Sequence, residues 1–449
     1  MCFITGVPGS GKTLVGLTAV HHPDIRDTAS FLSGNGPLVK ILREALIRDD
    51  VRRGQIAGNR RTRRAAETAV CAFIQSVHRF ADDHYKEKAP TPAERVIVFD
   101  EAQRAWDSQQ NERAKRPAVS EAHMMMDVMN RHAGWCVLVC LVGGGQEINR
   151  GEAGLPEWGA AVQGFDNWKI YTSPDVLTDR SGGPFSLFSG NPDCTERIMT
   201  IDDFHLKVSN RSIRAIQMSK WVDAVLDGDR SAAEEIAGQM SSPPVMARNL
   251  ASVRQWLREK RRGLARTGLV ASSGAARLRP DGLETSFDFH QRFEWERWFL
   301  DRDSCEEPRC DHKYCNDVRS SSKLEVAATQ FEIQGLELDW IGVCWNEDLL
   351  WTGTEWLSYN FNGKTWKANK DAQKHKYRVN GYRVLLTRAR QGMIIYVPKP
   401  DSSDSSRLHR QLELTAQFLV QCGVDELFSP SSTPSDLQYP RAETTQPPY

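Results

Sequence analysis

The chain has 449 residues, and its 58 Lys and Arg residues balance its 58 Asp and Glu residues, so its formal net charge is zero. This length is too great for one ordinary hydrophobic core and predicts two or three domains. Zero net charge excludes a global positive field, so any surface that binds nucleic acid must be local.

Ten cysteines are scattered along the chain, and some of them, such as Cys136 and Cys140, lie within apolar runs. This placement favours buried thiols in a reducing compartment over a disulfide framework. No apolar run reaches the roughly eighteen residues of a membrane span, and Met1 is not followed by a secretory signal. A soluble, cytoplasmic protein without a membrane partner is therefore predicted.

The first predicted elements are a short apolar strand at residues 2–4 and a helix at residues 14–20. The sequence between them, GVPGSGKT, fits the phosphate-loop pattern G-x-x-x-x-G-K-[ST] at every fixed position. Such a loop points backbone N–H groups into a concavity at the positive end of a helix, where phosphate binds. The candidate nucleotide-binding residues are the whole loop: Gly6, Val7, Pro8, Gly9, Ser10, Gly11, Lys12 and Thr13.

Two side chains of this loop have specific predicted roles. Lys12 is expected to contact the β- and γ-phosphates of a nucleotide, and the Thr13 hydroxyl is expected to ligate Mg²⁺. A Gly-rich turn that happens to carry Lys-Thr is the structural alternative.

Apolar runs and helical patterns then alternate along the chain. Strands are predicted at residues 28–32, 96–99 and 136–142, and helices at 38–47 and 65–84. A second alternating region has strand candidates at residues 268–272, 340–344 and 393–397. This order is typical of α/β domains with parallel sheets covered by helices on both faces.

The predicted domain organisation follows from these two regions. The first α/β domain is assigned to residues 1–205 and the second to residues 267–428. A helical, Arg-rich connection, residues 206–266, lies between them. The tail at residues 429–449 is rich in Pro, Ser and Thr and is predicted to be disordered.

Polar residues follow two of the predicted strands in the first domain, where ligands of parallel sheets bind. Asp100 ends one strand and is expected to hold Mg²⁺ through its water shell, while Glu101 polarises the attacking water as general base. Gln146 follows the next strand and is expected to sense the γ-phosphate. The alternatives are chance capping of the next helix by Asp-Glu and a polar turn around Gln146.

Seven motifs together resemble superfamily 1 helicases, and most closely the Schlafen-type (group 3) DNA/RNA helicase domain family. In chain order they are GVPGSGKT, FLSGNGPLV, VFDEAQRAW, LVGGGQEINRGEAGL, SNRSIRA, LEVAATQFEIQGLELDW and NGYRVLLTRARQG. The resemblance runs from about residue 3 to residue 398. The resemblance implies two RecA-like P-loop lobes with the nucleotide in the interdomain cleft, ATP and Mg²⁺ as cofactors, and single-stranded DNA or RNA as partner.

The resemblance also implies roles for three distant residues. Arg211 matches the arginine that reaches the γ-phosphate from the second domain, and Arg388 matches the arginine finger. A guanidinium offers bidentate contacts to phosphate oxygens and stabilises charge that develops during phosphoryl transfer. Glu337 matches the residue that contacts the ribose, with Gln334 and Gly335 shaping its turn.

Two features depart from the helicase pattern. Gly145 stands before Gln146, where superfamily 1 usually has Asp in its third motif. No Gln element that reads adenine precedes the phosphate loop, which favours a shortened chain or a missing N-terminal domain.

Other residue clusters allow two interpretations each. Arginines at residues 60–64 and the basic residues at 254–266 could track a phosphate backbone or form solvated surfaces. The tryptophans at residues 345–366 could stack on bases, although core or interdomain packing is the favoured use of most of them. The set Cys305, Cys310, His312 and Cys315 suits Zn²⁺ in residue type, but its spacing favours a polar insertion.

The leading hypothesis is NTP hydrolysis, with ATP as the expected nucleotide, coupled to translocation on DNA or RNA or to its unwinding. The alternative is an NTP-gated switch that recruits a protein partner without processive unwinding. A nucleic-acid-binding protein with an inactive nucleotide site is disfavoured because Glu101 is present.

Overall fold

The computed structural model describes residues 1–7, 9–86, 89–143, 154–177, 186–188, 195–208, 213–302, 316–400, 403–404 and 406–427. Its first sheet has eight strands, all paired in parallel. They are β1 Cys2–Gly6, β2 Ala29–Ser33, β3 Ile74–Ser76, β4 Val96–Asp100, β5 Val137–Leu141, β6 Ile170–Thr172, β7 Ile198–Thr200 and β8 His205–Leu206. Their order is β3-β2-β4-β5-β1-β6-β7, and β8 pairs with β1.

The first sheet is covered by helices on both faces. They are α1 Lys12–Val20, α2 Gly36–Ile56, α3 Arg63–Phe73, α4 Val77–His84, α5 Ser108–Arg113, α6 Glu121–Met129 and α7 Gly154–Gln163. Every residue of β2 and of β4 is buried. This double coverage explains why these strands are continuous apolar runs rather than alternating ones.

The second sheet has six strands, also paired in parallel. They are β9 Val245–Ala247, β10 Thr267–Ala271, β11 Ala327–Ala328, β12 Leu338–Cys344, β16 Ala389–Tyr396 and β17 Asp425–Glu426, in the order β11-β10-β12-β16-β9-β17. A three-stranded antiparallel sheet lies within the same part of the chain. It consists of β13 Leu349–Trp351, β14 Trp356–Asn362 and β15 Thr365–Ala368.

The helices of the second part are α8 Ile213–Leu226, α9 Arg230–Gly238, α10 Leu250–Lys260, α11 Phe287–Arg292, α12 Trp295–Leu300, α13 Gln330–Ile333, α14 Ala372–Leu386 and α15 His409–Gln421. Short 3-10 turns lie at Arg26–Thr28, Ala102–Arg104, Pro174–Val176, Thr195–Arg197, Asp202–Phe204, Ala276–Asp281 and Ser321–Lys323. The α/β fold with parallel sheets flanked by helices, expected of RecA-like lobes, is therefore confirmed.

Residues 213–266, most of the segment assigned from the sequence to a connection, are integrated into the second core, whereas Leu206 belongs to β8 of the first sheet. Trp221 of α8 and Val253 of α10 are fully buried against this core, and β9 lies between β16 and β17. The sequence pattern could not show this, because β9 has only three residues and its partners lie more than 140 positions later.

The single helix predicted at residues 65–84 is wrong, because β3 divides it into α3 and α4. Ile74 is fully buried and pairs in parallel with Phe31 of β2. Ser76 then serves as the N-cap residue of α4. Sheet pairing of a buried β-branched residue thus overrides a helical pattern that was continuous in sequence.

The tryptophans at residues 345–366 belong to the core, as the favoured interpretation held. Trp345, Trp351, Trp356 and Trp366 are all at least nine-tenths buried in one apolar cluster. Trp351 stacks on Phe418 of α15 with ring centroids 3.9 Å apart. These contacts attach the antiparallel sheet to the part of the chain that is built on the second sheet. We call this part the second lobe, and the part built on the first sheet the first lobe.

Six cysteines in the described part of the chain are free thiols: Cys2, Cys71, Cys136, Cys140, Cys344 and Cys422. Cys140, Cys344 and Cys422 are fully buried, as expected for thiols in apolar runs. Burial raises the pKa of Cys344 to about 12, so this thiol is inert as a nucleophile. None of the described helices combines the length and the apolar character needed to cross a bilayer.

Helix α2 joins the two lobes. Asn35 caps its first turn by accepting a hydrogen bond from the backbone N–H of Leu38. Leu38 and Ile41 are buried in the apolar cluster of the second lobe, although their helix follows a strand of the first. Arg48, in the middle of α2, forms a 2.7 Å ion pair with the buried carboxylate of Asp301. The interface along α2 therefore sets how the two sheets face each other.

We predict that Trp221→Ala lowers the free energy of unfolding by about 3–5 kcal/mol, because it leaves a large cavity. It also leaves the carbonyl of Cys422 without the indole N–H that now donates to it over 2.9 Å. Urea unfolding followed by circular dichroism would measure the loss. The control is Phe287→Ala, an aromatic side chain of the same lobe that is 72% exposed. Its effect should stay within about 0.5 kcal/mol, and equal losses in both variants would contradict the assignment of Trp221 to the core.

Candidate active site

The phosphate loop connects β1 to α1 and has the backbone that its glycines permit. Gly9 and Gly11 have φ angles of 76° and 86°, in the left-handed region that side chains disfavour. A Cβ atom on Gly6 would lie 2.7 Å from Cβ of Leu206, so β8 leaves no room for a side chain there. The Ser10 hydroxyl is buried inside the loop and has no hydrogen-bond partner among the residues that the structure describes. The loop thus combines a compact backbone with a polar group that a ligand can satisfy.

Lys12 and Thr13 open α1 and face the end of β4. The Lys12 ammonium group donates to the carbonyl oxygens of Gly6 at 2.8 Å and Val7 at 3.3 Å. The Thr13 hydroxyl lies 3.2 Å and 3.1 Å from the two carboxylate oxygens of Asp100 and donates to them. The fold therefore brings together the two motifs that were predicted to share Mg²⁺, although they are 87 residues apart.

Asp100 is 2% exposed at the end of β4. Burial, followed by the neighbouring charge of Glu101, raises its pKa to about 7, while Thr13 and Lys12 act in the opposite direction. The neutral acid is therefore favoured below about pH 7 when no cation is bound. A bound divalent cation would favour the ionised carboxylate, because an opposite charge stabilises it.

Glu101 takes a left-handed conformation, with φ of 54°, at the turn that follows β4. This conformation is rare for a non-glycine residue and is typical of functional turns. The Gln103 amide donates to the Glu101 carboxylate at 2.5 Å, and its oxygen accepts the Gly143 N–H at 3.2 Å. Gln103 thus ties the predicted general base to the end of β5. The sequence analysis missed this role, for which the only signal was its place in Asp-Glu-Ala-Gln.

Three side chains of the second lobe face the phosphate loop across the gap between the two lobes, which we call the cleft. Arg266, Glu337 and Arg388 immediately precede β10, β12 and β16, which are neighbours in the second sheet. Arg388 is 3% exposed, and its guanidinium donates to the Val384 carbonyl and the Thr387 hydroxyl, each at 3.1 Å. The amino ends of these strands therefore face the carboxyl ends of β1, β4 and β5.

A cavity of about 610 Å³ lies between these two walls. This volume falls in the range of small-molecule and cofactor sites. It is lined by Gly9, Ser10, Gly11, Lys12, Thr13, Leu38, Ile41, Leu42, Ala45, Glu101, Gly143, Arg266, Phe299, Leu300, Gly335, Leu336, Glu337 and Arg388. One cavity is therefore lined by the phosphate loop, by the predicted general base Glu101, by the predicted ribose-binding residue Glu337 and by the predicted arginine finger Arg388.

Several sequence-predicted residues lie outside the described residues, so their predicted roles stay predictions. They are Pro8 of the phosphate loop, Gln146 and Arg211 with their γ-phosphate roles, and the possible zinc ligands Cys305, Cys310, His312 and Cys315.

Gln334 forms a bridge between the lobes that the sequence analysis did not foresee. Its carbonyl accepts a hydrogen bond from the Asn35 amide at 3.0 Å, and its side-chain oxygen accepts one from Arg104. Asn35 follows β2, and Arg104 follows the Asp-Glu pair of the first lobe. Gln334 therefore connects the turn that carries Glu337 to two motifs across the cleft.

The two basic clusters are partly engaged in contacts within the chain. Arg61 forms an ion pair with Asp50 at 2.9 Å, and Arg63 forms one with Glu44 at 2.6 Å. In the second cluster, Lys260 lies over the rings of two tryptophans at 5.3–5.4 Å. A nucleic-acid role for either cluster stays a prediction.

Comparison with known proteins identifies the family. A family model described as Schlafen group 3, DNA/RNA helicase domain, matches residues 1–399. A search of curated proteins yielded no significant match. The matched range holds both parallel sheets except for β17, both walls of the cleft and every motif placed above. The chain therefore belongs to the Schlafen group 3 DNA/RNA helicase domain family.

Proposed function

We propose that the protein hydrolyses an NTP, with ATP and Mg²⁺ as cofactors, and couples hydrolysis to translocation on DNA or RNA or to its unwinding. The observation that carries this proposal is the shared cavity, which places Lys12 and Glu101 of one lobe opposite Arg388 of the other. Two-lobe closure over a nucleotide is the physical means by which hydrolysis could drive stepwise movement. Membership of a helicase domain family supports nucleic acid as the partner.

The residues fit the proposed cofactors. The Thr13 hydroxyl and the Asp100 carboxylate are hard oxygen ligands in mutual contact, as Mg²⁺ prefers. The Ser10 hydroxyl, which has no hydrogen-bond partner in the described part of the chain, and the Lys12 ammonium group lie in a loop suited to phosphate. Bound Mg²⁺ would supply charge neutralisation at the phosphates. In the proposed domain division, the first lobe supplies this phosphate and metal site.

Glu101 is proposed to accept the proton of the attacking water. Gln103 orients its carboxylate through a hydrogen bond. Gly143 lies beside this carboxylate, and a Cβ atom on Gly143 would lie 3.3 Å from it, so a larger residue there would crowd the carboxylate. Arg388 is proposed to stabilise charge on the γ-phosphate, and Glu337 to bind the ribose. Arg211 and Gln146 are proposed to act at the same phosphate.

An NTP-gated switch that recruits a protein partner is the second candidate function. It is favoured by Gly145, which replaces the Asp expected in the third helicase motif. Without that carboxylate, nucleotide binding could close the lobes while nucleic acid leaves hydrolysis unchanged.

The central prediction concerns hydrolysis itself. ATP turnover should be measured with and without single-stranded DNA and RNA, for the wild type, Lys12→Ala and Glu101→Gln. We expect a nucleic-acid strand to stimulate wild-type turnover. Glu101→Gln should retain ATP binding and lose about 10²–10⁴-fold in kcat, as for a general base, and Lys12→Ala should lose measurable turnover.

The outcomes of this experiment separate the candidate functions. Wild-type turnover no higher than that of Lys12→Ala would contradict hydrolysis at this site. Turnover that depends on Lys12 but responds to neither strand would favour the switch over the translocase. Strand displacement measured on a tailed duplex would then separate unwinding from translocation alone.

A second prediction tests the proposed role of Arg388 as an arginine finger. Arg388→Ala should lower kcat by about 10³-fold or more, with a smaller change in KM, because the guanidinium acts on charge that develops during the reaction. Arg388→Lys should also lose most of the rate, since an ammonium group lacks the bidentate fork.

The matched control is Arg410→Ala, an exposed arginine on α15. It should leave kcat unchanged. Thermal unfolding of each variant checks that the buried Arg388 is not simply required for folding. Stimulated turnover that survives Arg388→Ala in a folded protein would contradict the finger assignment.

A further inference from the structure

One part of the cleft cavity has no role in the hydrolysis mechanism, although it lies next to the phosphate loop. Its first wall is a face of α2 formed by Leu38, Ile41, Leu42 and Ala45. These residues have the i, i+3, i+4, i+7 spacing of one helix face. Phe299 and Leu300 of α12, together with Leu336, add apolar surface from the second lobe. This apolar end is suited to a flat, weakly hydrated ring rather than to phosphate.

Arg266 is the cation of this apolar end. Its guanidinium carbon lies 4.1 Å from the ring centroid of Phe299, within cation–π distance. Among the described residues, its guanidinium has no hydrogen-bond or ion-pair partner, and the side chain lines the cavity. Burial, followed by the charge of Arg302, lowers its pKa to about 10, while the charge of Asp339 acts in the opposite direction. A partly desolvated guanidinium stacked on a ring presents a second planar face and several unused donors.

The order of side chains along the second sheet indicates which part of a nucleotide meets Arg266. Arg388, Glu337 and Arg266 precede β16, β12 and β10, and β12 lies between the other two. Adjacent strands are about 4.8 Å apart, so the three side chains form a row. If Arg388 meets the γ-phosphate and Glu337 the ribose, Arg266 lies on the far side of the ribose. A nucleoside triphosphate has the same order: phosphates, ribose, base.

We propose that the apolar end of the cavity is the base-binding subsite, where Arg266 and Phe299 hold the face of a purine. The proposal rests on the proposed function, because it takes the roles of Arg388 and Glu337 from it. Stacking and apolar contact bind the face of a base and do not read its edge, so they discriminate weakly between ATP and GTP. Pyrimidine nucleotides bind less tightly, because their rings offer less area.

The test compares nucleotides with the same triphosphate and different bases. Equilibrium affinities for ATP, GTP, CTP, UTP and ribose 5-triphosphate are measured by calorimetry with Mg²⁺, in the Glu101→Gln background to prevent turnover. ATP and GTP should bind with similar affinities, because stacking tolerates either purine, and both should bind more tightly than CTP, UTP and ribose 5-triphosphate. Arg266→Ala should weaken ATP and GTP about tenfold and leave ribose 5-triphosphate unchanged, because that ligand has no base.

Arg266→Lys keeps the charge without the planar group, so it should restore only part of the affinity for ATP. The matched control is Arg292→Ala, an exposed arginine at the end of α11 that does not line the cavity. It should change no affinity. Thermal unfolding of Arg266→Ala and Arg266→Lys shows whether each variant is folded.

Three results would overturn the proposal. Unchanged ATP affinity in Arg266→Ala would show that the base does not contact this residue. Equal weakening of ATP and ribose 5-triphosphate would place Arg266 at the phosphates or the ribose. ATP binding that is absent, or unaffected by Lys12→Ala, would overturn the proposed function and the subsite with it. Binding that depends on Lys12 but not on Arg266 would overturn the subsite alone.

Discussion

The geometry of the cleft depends on the burial of α2 of the first lobe in the core of the second. Leu38 and Ile41 carry the apolar part of this contact, and the ion pair from Arg48 to Asp301 lies ten residues after Leu38 on the same helix. Because apolar burial is not directional, the hydrogen bonds at Gln334 add the alignment that packing alone does not supply. Together they hold the carboxyl ends of one sheet opposite the amino ends of the other.

This alignment concentrates charges of both signs around a cavity that is partly shielded from water. Lys12, Arg266 and Arg388 supply positive charge, and Glu101 and Glu337 supply negative charge. Asp100 contacts Thr13 at the end of β4, and its burial, followed by the charge of Glu101, raises its pKa to about 7. Under the proposed function, a ligand that brings both a divalent cation and anionic groups would stabilise this site.

Much of the architecture was predictable because continuous apolar runs mark buried parallel strands. The strands at residues 96–99 and 340–344 were predicted within two residues of their observed bounds, and so was the start of the helix near Leu38, although that helix continues to Ile56 instead of ending at residue 47. The elements that the sequence pattern did not predict are short strands whose pairing partners lie far away along the chain. Ile74 forms a strand only because β2 lies beside it, and β9 exists only as part of the second sheet. No local pattern carries that information, since hydrogen bonding to a distant strand decides it.

The sequence by itself determined the chemistry of the site. The residue types that carry this chemistry can be read without knowledge of the fold. They are the glycines, Lys12 and Thr13 of the phosphate loop, the Asp-Glu pair at the end of β4 and the arginine before β16. Tertiary structure alone decided which residues contact each other. It brings Thr13 to Asp100, Gln103 to Glu101, and Gln334 to the opposite lobe. It also placed Arg266 on Phe299 beside an apolar wall of α2. The physical reason is that these contacts join residues brought together by sheet order and lobe packing, and neither is encoded in local periodicity.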